Sequence, residues 1–275
     1  MKEDNKELYL DLMKKCLVNW ICGNEEKAPM LPTNFLKRKI VEFCQARGLC
    51  FVYSKPMNPA LRIAGRDYAD VCLFSPAHTM IGLKRLDNIQ FCIKNILSNS
   101  IPGDLIECGV WRGGAAIFMR AVLKAYDISD RLVWVADSFE GCPRPDEKKY
   151  PNDKGVNLYL FKELAVSIEK VKANFESYGL LDNQVRFLKG WFKNTLPQAP
   201  MQKLALLRLD GDLYESSMDA LENLYPKLSK GGYVIIDDYH SFPSCKAAVT
   251  DYRNQHDIKD DIIDIDKDGI YWQRS

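Results

Sequence analysis

The pattern of apolar and polar positions divides the chain near Ile101 into an irregular first hundred residues and a strongly periodic remainder. Before that point, 7–22 and 33–46 carry apolar residues at helical spacing, and 79–97 predicts a third helix. The stretch 54–76, broken by prolines and by Gly65, reads as loop. From Asp104 onward strand and helix patterns alternate. Short apolar strands are predicted at 104–108, 131–137, 185–189, 204–210 and 233–238, and helices at 113–126, 160–178 and 216–228. Such alternation implies a parallel sheet, because each crossover helix returns the chain to the same edge. At the end, 262–265 and 270–273 flank the turn 266–269 and predict an antiparallel hairpin added to that sheet.

Composition narrows the function classes. With 275 residues, 47% of them hydrophobic, the chain can bury a large core, which argues for a folded α/β domain, 101–275, preceded by a helical extension, 1–100, that shapes the substrate pocket and oligomer contacts. Thirty-eight basic residues against thirty-seven acidic ones leave a formal charge of +1, without the concentrated positive field that nucleic-acid binding needs. No DNA or RNA partner is expected. Nine scattered cysteines with no metal-knuckle spacing read as reduced thiols. The charged start leads into no apolar signal core, and no apolar run is long enough for a bilayer, so a cytoplasmic protein without a membrane partner is expected.

Three motifs carry candidate chemistry. Glu107-Cys108-Gly109-Val110-Trp111-Arg112-Gly113-Gly114 follows a strand and opens a helix. Gly109 can take backbone angles closed to other residues, and amides at the helix start can hold a carboxylate such as that of a methionine moiety. A glycine turn at this place is also often a mere tight connection. Asp137-Ser138-Phe139 ends the next strand, where an acidic side chain can accept hydrogen bonds from both ribose hydroxyls of a nucleoside cofactor, or can cap the following turn. NAD would suit those two motifs nearly as well as S-adenosylmethionine.

The third constellation separates the two cofactors. Asp210 is followed by Gly211 and Asp212, and Asp237 and Asp238 end the strand after one crossover, so the carboxylates converge at one edge of a parallel sheet. Held together without a counterion they would repel and take up protons, and a hard divalent cation such as Mg2+ is the economical neutraliser. A metal there can acidify a substrate hydroxyl and align it with an electrophilic methyl group. Helix capping by strand-end aspartates is the competing reading. The parallel sheet with a reversed hairpin at its end is characteristic of the class I S-adenosylmethionine-dependent methyltransferases, an argument from fold analogy.

These residues resemble the TylF/MycF family of magnesium-dependent macrolide sugar O-methyltransferases, which includes aminocoumarin sugar methyltransferases. The likeness spans most of the chain and is carried by His78-Thr79-Met80-Ile81-Gly82 with Arg85-Leu86-Asp87-Asn88, by 107–114, 134–140, Gly190-Trp191-Phe192, 208–212 and 235–239. The resemblance implies S-adenosylmethionine held by Thr79, Met80, Glu107, Gly109, Arg112, Gly113, Asp137, Ser138 and Asp210, its methionine end near Met80 and Glu107 and its adenine near Gly190 and Trp191. It further implies Mg2+ ligation by Asp210, Asp237 and Asp238, with Asp210 also the general base. A lid tyrosine matches Tyr68 best, with Tyr53 an alternative, and extra residues between Tyr68 and His78 mark the acceptor pocket as the part that departs from the family. A homo-oligomer, and a hydroxyl of a deoxysugar on a glycosylated natural product as acceptor, are the corresponding expectations.

Several residues admit two readings. His78 is a base near the lid or, as is commoner for a lone histidine before a helix, a structural hydrogen-bonding residue. His240 approaches substrate or faces solvent. Trp191 stacks on adenine or plugs the core. The acidic segment 257–268 alternates with isoleucines and reads as the solvated face of a strand rather than a second metal site. The N-terminal stripe Leu8, Leu12, Met13 and Cys16 predicts self-association. A catechol-type O-methyltransferase and a non-catalytic nucleotide-binding module remain as rival functions.

Overall fold

The computed structural model describes residues 2–21, 25–29, 34–45, 52–56, 59–64 and 76–275. In chain order the elements are α1 (Glu3–Leu17), β1 (Glu25–Pro29), α2 (Phe35–Gln45), β2 (Val52–Pro56), α3 (Pro59–Ala64), α4 (Leu83–Ser98), β3 (Asp104–Cys108), α5 (Gly114–Ala125), β4 (Val133–Asp137), α6 (Ile168–Ser177), β5 (Val185–Lys189), α7 (Phe192–Thr195), β6 (Leu204–Leu209), α8 (Tyr214–Leu224), β7 (Leu228–Ile236), α9 (Pro243–Gln255), β8 (Ile263–Asp264) and β9 (Ile270–Gln273). Seven strands form one sheet in the order β5-β4-β3-β6-β7-β9-β8. The first five are parallel, and β9 reverses, pairing Tyr233 with Gln273 and Ile236 with Ile270. The α/β class and the antiparallel C-terminal hairpin are as the alternating pattern implied.

Both sheet faces are covered, which is why the strands read as nearly continuous apolar runs. Leu105, Val133, Val135 and Ile235 face one core, and Ile106, Trp134, Leu207 and Val234 face the other. Helix α5 is buried along almost its whole circumference, from Gly114 to Ala125, because it lies between the sheet and α1 and α4. Leu10, Met13 and Leu17 of α1 join that same core. Met13 is therefore spent on internal packing, whereas Leu8 and Leu12 are 69% and 52% exposed.

Several boundaries differ from expectation for local reasons. The loop expected over 54–76 contains the end of β2 and the short helix α3, which Pro59 opens. β2 pairs with β1 in an antiparallel ribbon, so the N-terminal part is not purely helical. Helix α4 starts at Leu83 because Gly82 is extended, with φ −87° and ψ −177°, leaving 79–82 outside the helix. Ser167 caps α6 by accepting from the Lys170 amide, and 158–164 before it forms only short 3-10 turns. Helix α9, absent from the expected elements, is opened by Pro243 and buries Cys245, Ala248, Val249 and Tyr252 on one face.

Candidate active site

The site lies where the strand order changes direction. β3 stands between β4 and β6, and the carboxyl ends of β3 and β6 open a crevice at this switch point. Gly109 leaves β3 with φ +84°, and a Cβ there would lie 1.8 Å from the Asp210 carbonyl oxygen, so only glycine fits beside β6. The turns after β3, β4 and β6 each hold a non-glycine residue in the left-handed region: Trp111 at φ 47°, Phe139 at 60° and Asp212 at 54°. Strain of this kind, about 1–3 kcal/mol each, concentrates where a ligand-binding edge demands it. A cavity of about 440 Å³ occupies this edge, a volume suited to a small ligand.

At the floor of the cavity, carboxylate oxygens of Asp210, Asp237 and Asp238 lie within 4.8 Å of one another. Two arginines thread the cluster. Arg208, 1% exposed, donates to Glu107 Oε1 (2.6 Å), Asp210 Oδ2 (2.9 Å) and Asp237 Oδ1 (2.6 Å). Arg85 donates to Asp237 Oδ2 at 2.6 Å. Asp237 is thus clamped on both oxygens, while Asp238 Oδ2 is buried with no hydrogen-bond partner. Burial, then repulsion from Asp237, pushes the Asp210 carboxyl up to about 6. Burial with Asp210 and Asp237 nearby raises Asp212 to about 8, and Asp238 is raised strongly by burial and by Asp212, Asp210 and Asp237. The arginines leave the cluster short of positive charge, and an orphaned buried oxygen among hard donors fits a divalent cation.

The other half of the cavity is built around β3 and β4. Asp137 Oδ2 accepts from the Val110 amide (2.7 Å) and Oδ1 from the Phe139 amide (2.7 Å), so the carboxylate both caps the glycine turn and lines the cavity. Burial raises its pKa against the pull of those amides. Glu107 is among the lining residues, its Oε2 is buried without a hydrogen-bond partner, and burial pushes its carboxyl up to about 8 in spite of Arg208. Segment 78–79 crosses the start of α5 closely: a Cβ on Gly114 would lie 2.4 Å from the His78 carbonyl oxygen, and the Gly114 amide donates to that same oxygen (3.0 Å). One amide of the expected anion site is therefore already used.

Thr79, Met80, Ser138 and Trp191 line the cavity together with the groups above. Gly190, Arg112 and Gly113 stand behind its wall instead. The Gly190 amide donates to the Asp137 carbonyl, Gly113 caps α5 at φ 86°, and Arg112 Nη1 donates to the Ala77 carbonyl, holding the crossing segment down. Tyr68 lies outside the described residues; Tyr53 belongs to β2, and its side chain is likewise outside them. His78 has the structural surroundings, with Nδ1 2.7 Å from the Tyr178 hydroxyl, and His240 Nε2 meets Asp264 Oδ1 at 2.9 Å. The acidic segment before β9 is not uniformly solvated, because the Asp266 side chain is only 3% exposed and binds Arg85. Cys142 lines the cavity as a free thiol whose pKa burial and nearby carboxylates raise, which leaves it a poor nucleophile. Sequence reasoning placed Asp212 in the carboxylate cluster but assigned no role to Arg85 or Arg208, whose bonds to Asp237 and Glu107 span distant parts of the chain.

A glycine turn and an acidic strand end at the switch point of a parallel sheet with a reversed final hairpin define a class I S-adenosylmethionine-dependent methyltransferase. Comparison with known proteins narrows the class. The family model for macrocin-O-methyltransferase (TylF) matches residues 6–274. A tetracenomycin-C rhamnosyl 4'-O-methyltransferase of Streptomyces olivaceus is 50% identical over 276 residues, covering 100% of this chain and 95% of that protein. Demethyldecarbamoylnovobiocin O-methyltransferase of Streptomyces niveus is 50% identical over 277 residues, covering 100% and 97%, and mycinamicin III 3''-O-methyltransferase of Micromonospora griseorubida is 47% identical over 272 residues, covering 98% and 97%. The solved structure of the O-methyltransferase NovP superposes with a TM-score of 0.82 at 48% identity, covering 98% of this chain and 99% of that one. The chain belongs to the TylF macrocin-O-methyltransferase family, and it is an S-adenosylmethionine-dependent O-methyltransferase.

Proposed function

We propose that the protein methylates a sugar hydroxyl of a glycosylated small molecule, with Asp210, Asp237 and Asp238 holding a magnesium ion beside that hydroxyl. The observation that carries the reading is the convergence of three carboxylates within 4.8 Å beside a buried, unpartnered Asp238 Oδ2. A magnesium ion held there supplies Lewis acidity that lowers the pKa of the acceptor hydroxyl. S-adenosylmethionine supplies a methyl group made electrophilic by its sulfonium. When it binds, Glu107 would hold the ammonium of the methionine end, Asp137 the ribose hydroxyls and Trp191 the adenine, all three being cavity-lining residues. Asp210 faces the cavity with 30% of its side chain exposed, Arg208 holds its Oδ2, and Oδ1 takes the acceptor proton as the new C–O bond forms and the C–S bond breaks.

Extension 1–100 contributes Thr79, Met80 and Arg85 to the cavity of the catalytic domain, 101–275, and the exposed Leu8 and Leu12 of α1 support a homo-oligomer. Among the described residues no helix is long and apolar enough to cross a membrane.

A glycoside whose sugar is already on its aglycone brings hydroxyls and no charge to a cavity lined by nine acidic and four basic side chains. The relatives named for rhamnosyl-tetracenomycin, novobiocin and mycinamicin substrates support the same class. Methyl transfer from labelled S-adenosylmethionine to three acceptors tests the reading: a deoxysugar glycoside, the matching nucleoside-diphosphate sugar, and a catechol. Label is expected in the glycoside. Preferential labelling of the nucleotide sugar or the catechol would overturn it.

A further inference from the structure

We propose that Arg85 is a positioning residue: its guanidinium fork fixes the Asp237 carboxylate for the divalent cation and couples it to the hairpin turn 266–269, which lines the cavity through Lys267 and Asp268. The inference rests on the metal reading above. Arg85 stands in the first turn of α4, directly after the cavity-lining segment 79–82. Its three nitrogens each take a different carboxylate: Nη1 donates to Asp237 Oδ2 (2.6 Å), Nε to Asp266 Oδ2 (2.8 Å) and Nη2 to Asp268 Oδ2 (2.8 Å). Only 8% of the side chain is exposed, and a planar fork with fixed donor directions leaves this geometry no slack.

The far end of the fork is equally well anchored. Asp266 Oδ1 accepts from the amides of Asp268 and Gly269, both at 2.9 Å, which shapes the turn between β8 and β9. Burial would raise the Asp266 carboxyl, but Arg85 and those amides outweigh it and hold it below the usual carboxylate range. The turn touches the metal edge a second time, where the His240 amide, two residues beyond Asp238, donates to the Asp268 carbonyl (2.9 Å). Lys267 and Asp268 of this turn line the cavity. With Arg208 on Asp237 Oδ1 and Arg85 on Oδ2, the carboxylate cannot rotate without breaking charged hydrogen bonds at both ends. The turn 266–269 and the Asp237 carboxylate are consequently linked as one unit.

Charge and position make opposite predictions here. A cation beside a magnesium site repels the metal, so Arg85 acting by charge alone would weaken metal binding, and its removal would tighten it. A supporting arginine that orients a ligand strengthens binding, and its loss costs about 10–100-fold in metal affinity. The test is calorimetric titration of the free protein with magnesium chloride for the parent, Arg85→Lys, Arg85→Gln and Asp268→Asn, with S-adenosylmethionine titrated separately. Both Arg85 variants are expected to lose about tenfold or more in magnesium affinity, although Arg85→Lys keeps the charge, while cofactor affinity changes far less. Asp268→Asn, an exchange at the rim of the network, is expected to weaken magnesium in the same direction and to add little when combined with Arg85→Lys. Parent-like binding by Arg85→Lys, or unchanged or tighter binding by Arg85→Gln, would overturn the inference alone. If the Arg85 variants do not fold, Asp268→Glu, which keeps the charge and displaces the carboxylate, decides: unchanged magnesium affinity overturns the inference and weakened affinity supports it. A parent that binds no magnesium would remove the metal reading and this inference together.

Discussion

Asp210 is asked to do two things, to contribute to the cation site and to take a proton, and its surroundings suit both. One oxygen is pinned by Arg208; burial with Asp237 nearby pushes the carboxyl up to about 6, and a bound cation would pull it down again, so most of the acidification of the acceptor hydroxyl would fall to the metal. Asp210→Asn keeps the shape and the Arg208 contact through its amide oxygen but cannot accept the proton. Turnover should fall by about 100-fold or more, with the melting temperature nearly unchanged, as an assay beside a thermal melt would check. Asp137→Ala removes an acceptor for ribose hydroxyls, each charged hydrogen bond being worth about 1.5–3 kcal/mol, so calorimetry should find S-adenosylmethionine bound at least about tenfold more weakly. Unchanged affinity would restrict Asp137 to its capping bonds with Val110 and Phe139. At this scale the aspartates were legible, because strand-end carboxylates in a periodic sequence fall on one edge. The arginines that hold them were not: Arg85 meets Asp237 across 152 positions and Arg208 meets Glu107 across 101, and no local pattern encodes such pairings.

Elements were legible where burial imposes a period. The strands β3, β5 and β6 and the helix α5 carry continuous or one-sided apolar runs and fell close to their expected places. The segment 160–167 did not, since Leu164 lines the cavity while Leu160 and Phe161 are exposed, and no helix face is buried there. The β1–β2 ribbon is a separate two-stranded sheet, and its sequences, Glu25–Pro29 and Val52–Pro56, carry no apolar alternation to announce it. Between elements, Arg120 of α5 is fixed to Asp182 ahead of β5 by a two-pronged pair, Nε to Oδ1 at 3.0 Å and Nη2 to Oδ2 at 2.6 Å. Burial acts to raise the Asp182 carboxyl, but Arg120 and the Gln184 amide lower it overall. A depressed folded-state value means stability that is present above the unfolded pKa of about 3.9 and is lost as pH falls through the folded value. With a third of the Asp182 side chain exposed, the pair is screened, and Asp182→Asn should cost only about 1 kcal/mol near neutral pH. Denaturant melts of parent and variant should converge in strong acid; a gap that persisted there would assign the loss to packing.

At the scale of the whole molecule, the fold presents a functional edge and, on α1, a pair of exposed leucines. Leu8 and Leu12, one helical turn apart, stay exposed while Leu10, Met13 and Leu17 are consumed by the core. Light scattering should show an oligomer at micromolar concentration, and Leu8→Glu with Leu12→Glu should shift it toward monomer without unfolding it. A monomeric parent would contradict the proposed assembly. The central claim is that the carboxylate cluster at the ends of β6 and β7 works through a divalent cation. The most direct measurement is methyl transfer after exhaustive chelation, with cofactor binding followed in parallel by calorimetry. Chelated protein should bind S-adenosylmethionine, transfer no methyl to the glycoside, and recover when magnesium is added back. Full-rate transfer by chelated protein would contradict the account, and Asp210 and Asp237 would then be left with their arginine contacts alone.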